Sequence, residues 1–389
     1  MSRQEIAAAT GLSFATVANL VAELLEAGVL LESGHEESKG GRPRAQLAVN
    51  AQRGALVGID VAETSVRVEL FDLALTALRS VSLPLPQAGV SPEEVIATIA
   101  AGVEALMDDT NSPPPILGAG VCVPGLVERE GGVSVFSPYW SWRDVPVRSL
   151  LAERLPMPLY LDNPLKASAV AEMWFGAGRE VENLLVVTLR SGVGVGIAVD
   201  GALYRGATNS AGEWGHTCLV PGGRECRCGR LGCVEAYVST RGIVETVREL
   251  DERSPLLDPE EATVVSSVAR AWTEGNPVAV ETVTRTARYL GLASADLLNL
   301  FNPQTLVLGG WVADCLGEPL LRQTREVIAE RALPATLQAL TLQLSNVPGQ
   351  PVTLGAATFA LEGFLNDRAT FGAVAAGRRA ARAAKGRTS

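Results

Sequence analysis

Ala55-Leu56-Val57-Gly58-Ile59-Asp60, followed by the alternating Ser65-Val66-Arg67-Val68-Glu69-Leu70-Phe71, is a buried-strand run leading into a half-buried strand. The theme returns at Leu184-Leu185-Val186-Val187-Thr188-Leu189 and Gly192-Val193-Gly194-Val195-Gly196-Ile197-Ala198-Val199. Strand, hairpin and strand thus occur twice, which predicts two related α/β halves with a cleft between them. Between the two runs, Ser91 to Met107 has the spacing of an amphipathic helix, and Leu117 to Gly125 reads as a strand entering a turn.

Outward from this body the first fifty residues differ in character. Ile6, Ala7 and Ala8 suit a short helix that stops at Thr10-Gly11. Ser13 can cap a second helix from Phe14 to about Ala27, with Val17, Leu20, Val21, Leu24 and Leu25 as its apolar stripe. Phe14, Ala15, Thr16 and Asn19 fall mostly off that stripe, and Thr16 and Asn19 are short polar groups able to reach base edges. Val29 to Glu32 and Gln46 to Asn50 read as two strands flanking Gly40-Gly41-Arg42-Pro43-Arg44, a wing with a basic tip suited to a narrow minor groove. Arg3, Ser13, Phe14, Ala15, Thr16, Asn19, Arg42 and Arg44 are therefore the expected DNA contacts. A winged helix normally has a helix before the one at Arg3 to Ala9, so this head is expected to lack its first helix or to start upstream of Met1. The plain alternative is a helical pair with an ordinary charged hairpin.

Bulk charge gives the DNA reading no help. The 389-residue chain has a net charge of −10, and its first fifty residues hold four basic and six acidic side chains. Length predicts more than one domain. No apolar run is long enough to span a bilayer and the start lacks a secretory pattern, so a cytoplasmic protein without membrane contact is expected. The Ala-rich, basic segment from Arg378 reads as a frayed tail.

Three of the six Cys crowd together: Cys226, Cys228 and Cys233 follow His216 within eighteen residues. Three thiolates and one imidazole complete a tetrahedral zinc site with no open position, which predicts a structural Zn²⁺ that pins a loop. Cys122, Cys218 and Cys315 lie outside the set and are expected to be buried thiols.

Taken in order, Gly58-Ile59-Asp60, Gly120 to Gly125, Trp142 to Val147, Gly212-Glu213-Trp214-Gly215-His216, Cys226 to Glu235, Asn302-Pro303 and Leu308-Gly309-Gly310 resemble the ROK family of repressors and sugar kinases, over nearly the whole chain. The resemblance implies the two-domain actin-like (ribonuclease H-like) ATPase fold. Here it follows a winged helix-turn-helix, as in the branch of xylose and N-acetylglucosamine repressors. The expected division is a head at 1–50, a small lobe at 51–163 joined by the C-terminal helix 352–367, a large lobe with the zinc loop at 164–351, and a tail at 368–389. It further implies sugar contacts at Glu213, His216 and Glu235, with Asn163 retained near the ligand. Homodimers or homotetramers on palindromic operators are implied as well.

Four departures from the family's kinases lie at the chemistry. Pro164 stands where the catalytic Asp would, and proline offers neither acid nor base. The first phosphate loop is Asp60-Val61-Ala62-Glu63-Thr64 in place of Asp-x-Gly-Gly-Thr. Arg190 replaces the leading Gly of the second loop, and Tyr139 replaces the sugar-side Asn after Pro138. The expectation is a sugar-responsive transcription regulator without catalytic residues. The rival expectation is an ATP-dependent sugar kinase, and a third is a DNA-binding protein whose cleft has decayed.

Overall fold

The structure is a computed structural model that describes residues 1–35, 44–86, 90–108 and 115–367. Two five-stranded sheets form its centre. In the first, Ala55–Val61 pairs antiparallel with Ser65–Asp72 and parallel with Ile116–Cys122, while Ala77–Pro84 and Leu159–Asp162 take the edges. In the second, Leu184–Leu189 pairs antiparallel with Val193–Val199 and parallel with Thr305–Gly309, with Ala202–Leu203 and Thr341–Leu344 at the edges. Strand order and sense are the same in both, so the doubled theme of the sequence is a doubled topology. A three-stranded sheet, Leu126–Glu128, Val133–Ser137 and Trp142–Val145, extends the first lobe over the cleft side.

Both central strands are buried on both faces, as mixed sheets covered by helices require. On the first sheet, Val95, Ile96, Ile99, Val103 and Leu106 of helix Pro92–Asp108 share a core with Val57, Ile59, Val66 and Val68. On the second, helices Thr240–Leu250, Glu261–Thr273, Pro277–Phe301 and Trp311–Arg331 build the largest core on one side. Ala169 of helix Pro164–Phe175 packs against Leu184, Val186 and Val307 on the other.

Helix Pro351–Asn366 lies between the first sheet and helix Pro164–Phe175, and it is buried nearly all round, from Val352 to Leu361. That approach is possible only because small residues face it. A Cβ at Gly120 would lie 1.8 Å from the Ala356 carbonyl oxygen. One at Gly58 would lie 2.0 Å from that of Thr353, and one at Gly355 1.9 Å from that of Ala167.

In the head, helix Arg3–Thr10 ends at Gly11 in the left-handed conformation, and Ser13 caps helix Phe14–Glu26. Ser2 and Glu5 form a reciprocal cap at the first helix. Strands Leu30–His35 and Ala45–Val49 pair antiparallel, and the Met1 carbonyl accepts from the Leu47 N–H, adding the chain start to the wing. Val17, Val21 and Leu47 form the small core, with Ile6, Ala7, Leu25 and Leu30 against it. The apolar stripe is narrower than its spacing suggests: Leu20 is 46% exposed, and helix Arg3–Thr10 buries no residue. Leu24 turns instead toward the body, where Ala27 and Val29 join Phe71, Leu73, Leu75, Leu361 and Phe364 in one cluster. Asn50 Nδ2 donates to the Gly28 carbonyl and Arg53 Nε to that of Ala27, so the joint between head and body is packed and hydrogen-bonded.

Gly120→Ala is expected to lower the stability of the body by about 2–3 kcal/mol through overpacking. A fall in the denaturation midpoint with little change in the denaturant slope is the expected reading; an unchanged midpoint would show that the helix does not sit that close.

Candidate functional site

The cleft opens at the carboxyl ends of the central strands, where open α/β sheets place their ligands. A cavity of about 830 Å³, mouth included, is lined from the first lobe by Glu63, Ser137, Pro138 and Tyr139. From the second it is lined by Asn163, Pro164, Thr188, Arg190, Glu213, His216, Arg227 and Glu235. All four residues expected to touch sugar therefore face one space.

Each is positioned by its local chain. Gly212 holds φ +98°, with space for no side chain against the Val195 carbonyl, and it turns the chain into the short 3-10 helix Glu213–His216. Glu235 opens helix Glu235–Val238, and its Oε2 accepts from the Val193 N–H at 3.0 Å. Asn163 Oδ1 accepts from the Lys166 N–H at 3.1 Å and caps helix Pro164–Phe175. Burial pushes the Glu213 carboxyl up from its ordinary range, while His216 and Lys166 pull it back. Lys166, itself almost wholly buried, donates to the Ala211 carbonyl; burial pushes its ammonium group down, against the pull of Asp162 and Glu213.

His216, Cys226, Cys228 and Cys233 converge beside the cavity, with their ligand atoms all within 4.8 Å of one another. Cys228 and Cys233 Sγ lie 3.7 Å apart, and Cys226 Sγ lies 3.6 Å from His216 Nδ1. A tetrahedron with sulfur about 2.3 Å from a central ion has edges of about 3.8 Å, so the cage has the size of a four-coordinate site. Burial pushes the Cys226 and Cys233 thiols up, so a bound ion must displace their protons. Arg224 ties the start of this loop to helix Thr240–Leu250 through the Gly242 carbonyl, Thr246 Oγ1 and Glu249. The other thiols divide: Cys122 is buried, but Cys218 and Cys315 are exposed, contrary to expectation. Cys315 follows the buried Val312 and Ala313 onto the outer face of its helix, and Cys218 lies on the open side of the loop strand that pairs with Cys233.

The chemistry end of the cleft is held by arginines. Arg190 Nη1 and Nη2 both donate to Asp60 Oδ2 at 3.0 Å, joining the end of one central strand to the end of the other. Asp60 holds the Arg190 guanidinium above its ordinary pKa. Asp162, two residues before Pro164, does not line the cavity: Arg205 Nη1 donates to it, and so does Asn209 Nδ2 at 3.1 Å. Arg227, between two cysteines of the loop, reaches Glu261 at 3.0 Å and lies 5.2 Å from the Tyr139 ring centroid across the cleft. The sequence shows these arginines but not their partners, which lie 130 and 43 residues away for Arg190 and Arg205.

At the head, Phe14, Ala15, Thr16 and Asn19 are exposed. Ser13 is occupied as the cap, accepting from the Thr16 N–H at 3.1 Å. Arg3, Phe14 and Arg44 border one shallow groove with Ser2, Gln4 and Ala45, although Arg3 also pairs with Glu32 at 3.3 Å. Arg42 and the basic tail from Arg378 lie outside the described residues.

With this arrangement in view, comparison with known proteins gives a consistent result. A profile described as the ROK family matches residues 56–362, and the chain belongs to that family. It is 31% identical over 372 residues to a xylose repressor of Caldicellulosiruptor bescii, covering 94% of this chain and 93% of the relative. A crystallised ROK family transcriptional regulator, a homologue of the E. coli MLC protein, matches the fold with a TM-score of 0.80 at 24% identity, over 96% of this chain and 94% of that one. A ROK family glucokinase from Streptomyces griseus, solved with glucose and AMPPNP, matches with a TM-score of 0.71 at 28% identity, over 80% of this chain and 100% of that one. The actin-like body preceded by a winged helix is thus the fold of this chain.

Cys228→Ser is expected to abolish binding of one divalent ion per chain, read by metal analysis of the purified protein, and to lower its melting temperature. Affinity for the ion should fall as pH falls, because each thiol must release its proton on binding. Retention of a full equivalent by the variant would remove Cys228 from the ligand set.

Proposed function

We propose that the protein is a sugar-responsive, DNA-binding transcription regulator, most simply a repressor, whose kinase-like body senses ligand without catalysing phosphotransfer. The observation that carries this reading is the Arg190–Asp60 pair, which puts a guanidinium where phosphates would be seated. Pro164, at the mouth of the same cavity, removes the only side chain positioned to deprotonate a sugar hydroxyl. With Asp162 tied to Arg205, no carboxylate replaces it.

In this reading the Cys₃His loop holds a structural zinc ion through His216, Cys226, Cys228 and Cys233. Its role is to fix Glu235 and His216 at the sugar, as outer groups fix inner ones around metals. Glu213, His216, Glu235 and Asn163 bind the hydroxyls of the effector. The sugars of the relatives, xylose and glucose, are the first to test.

The head reads DNA through helix Phe14–Glu26, with Asn19 and Thr16 toward base edges and Arg44 toward phosphate. A cytosolic dimer or tetramer would present two heads to a palindromic operator, and ligand would bias the lobes toward one spacing by its differential affinity for the two states. Among the described residues no single helix is long and apolar enough to cross a membrane.

A mobility-shift assay on promoter-proximal DNA of the protein's own locus is expected to give a sequence-specific complex that sugar weakens or strengthens. Asn19→Ala should relax base preference at a cost of about 1–3 kcal/mol, whereas Arg44→Ala should weaken all sequences alike and reduce the salt dependence. A coupled ADP-release assay with pentoses and hexoses should stay at background. Sugar-dependent turnover, or no specific shift on any fragment, would contradict the proposal.

A further inference from the structure

The cavity holds two polar groups that the sugar contacts named above leave unused. Ser137 Oγ and Thr188 Oγ1 line it, are 0% and 3% exposed, and have no hydrogen-bond partner among the described residues. Ser137 ends strand Val133–Ser137 of the first lobe, and Thr188 lies near the end of strand Leu184–Leu189 of the second. They face the cavity from opposite walls. Buried hydroxyls are normally paired, and one left alone on a cavity wall is explained by a partner that arrives with a ligand.

The charges around them have a definite sense. Both arginines of the lining are already paired, Arg190 with Asp60 and Arg227 with Glu261, each at 3.0 Å. The remaining charged side chains of the lining are the carboxyls of Glu63, Glu213 and Glu235. Glu63 sits in the loop after Asp60, on the side a phosphate would approach. A phosphate ester entering here would meet no arginine or lysine free of a carboxylate among the described lining residues, and it would lose water beside like charge. An uncharged polyol meets only groups that can exchange hydrogen bonds with it.

We infer that the cavity takes a neutral sugar, that Ser137 and Thr188 bind its hydroxyls from the two lobes, and that the phosphate ester of the same sugar is rejected. This rests on the sugar-sensing reading and narrows it to one chemical class. Because the two hydroxyls stand on different lobes, a ligand that joins them favours the closed cleft, which is how binding reaches lobe spacing.

The test is calorimetric titration and thermal shift on the full-length, metal-containing protein with matched pairs: D-xylose and xylose 5-phosphate, D-glucose and glucose 6-phosphate. The neutral member of at least one pair is expected to bind and raise the melting temperature, with its ester at least about tenfold weaker. Ser137→Ala and Thr188→Val should each weaken the neutral sugar by about fivefold. Neither should lower the melting temperature without sugar, since neither removes a bond that the free protein makes. Thr188→Ser should restore binding, and Glu63→Gln should narrow the gap between sugar and ester. An ester that binds as tightly as its sugar overturns the inference and leaves the sugar-sensing reading intact. Sugar binding unchanged in both hydroxyl variants overturns the assignment of Ser137 and Thr188. No binding by either member of any pair brings down the sensing reading and this inference with it.

Discussion

A guanidinium on one lobe rests on a carboxylate of the other: Arg190 on Asp60, two hydrogen bonds at 3.0 Å at the base of the cleft. In a phosphotransfer enzyme of this fold that space must stay open to a polyanion and its counter-ion. Here it is closed by an internal ion pair, and the rest of the cleft follows the same logic. Arg205 from the second lobe holds Asp162 of the first, and Arg227 of the cysteine loop lies against Tyr139. Three arginines thus clasp the lobes together. A half-buried charge is tolerated only when paired, so each pair resists separation and each carboxylate is withdrawn from chemistry.

The clasp leaves the neighbouring cavity free, and the cage of His216 and three cysteines gives it a fixed wall. Glu235 shows how directly: one oxygen accepts from Val193 N–H in the central hairpin, and the other lies 3.5 Å from Cys226 Sγ. Beyond the cleft, helix Pro351–Asn366 provides a continuous element toward the head. Its first turn borders the space next to Asp60 and Arg190, and its last turn places Phe364 in the cluster that holds Ala27 and Val29. Sixteen residues of helix span about 24 Å, so the DNA-reading head and the clasped end of the cleft lean on opposite ends of one buried rod.

Much of this was legible in the sequence because it depends on period and spacing. The two strand–hairpin runs became two sheets of one topology, the Gly11 stop and Ser13 cap fell where their chemistry demands, and Cys-x-Cys-x4-Cys with His216 closed into a cage. Three things were not legible. Leu20 has the spacing of a core residue, but helical period cannot tell which neighbour covers a stripe. Cys218 and Cys315 looked like ordinary buried thiols because composition says nothing about which face of a loop or helix carries them. Above all, Arg190 and Asp162 could be seen only as a substitution and a bystander. Their meaning lies in Asp60 and Arg205, partners brought near by the fold of two lobes rather than by any local pattern.

The central claim is that an internal arginine pair has taken the place of a phosphate-bearing ligand. Equilibrium titration of the full-length protein with Mg²⁺ and AMPPNP, in the presence of saturating sugar, tests it most directly. No saturable binding at millimolar nucleotide is predicted, with weak binding gained when Arg190 is replaced in Arg190→Gly. Micromolar, magnesium-dependent binding to the unaltered protein would contradict it.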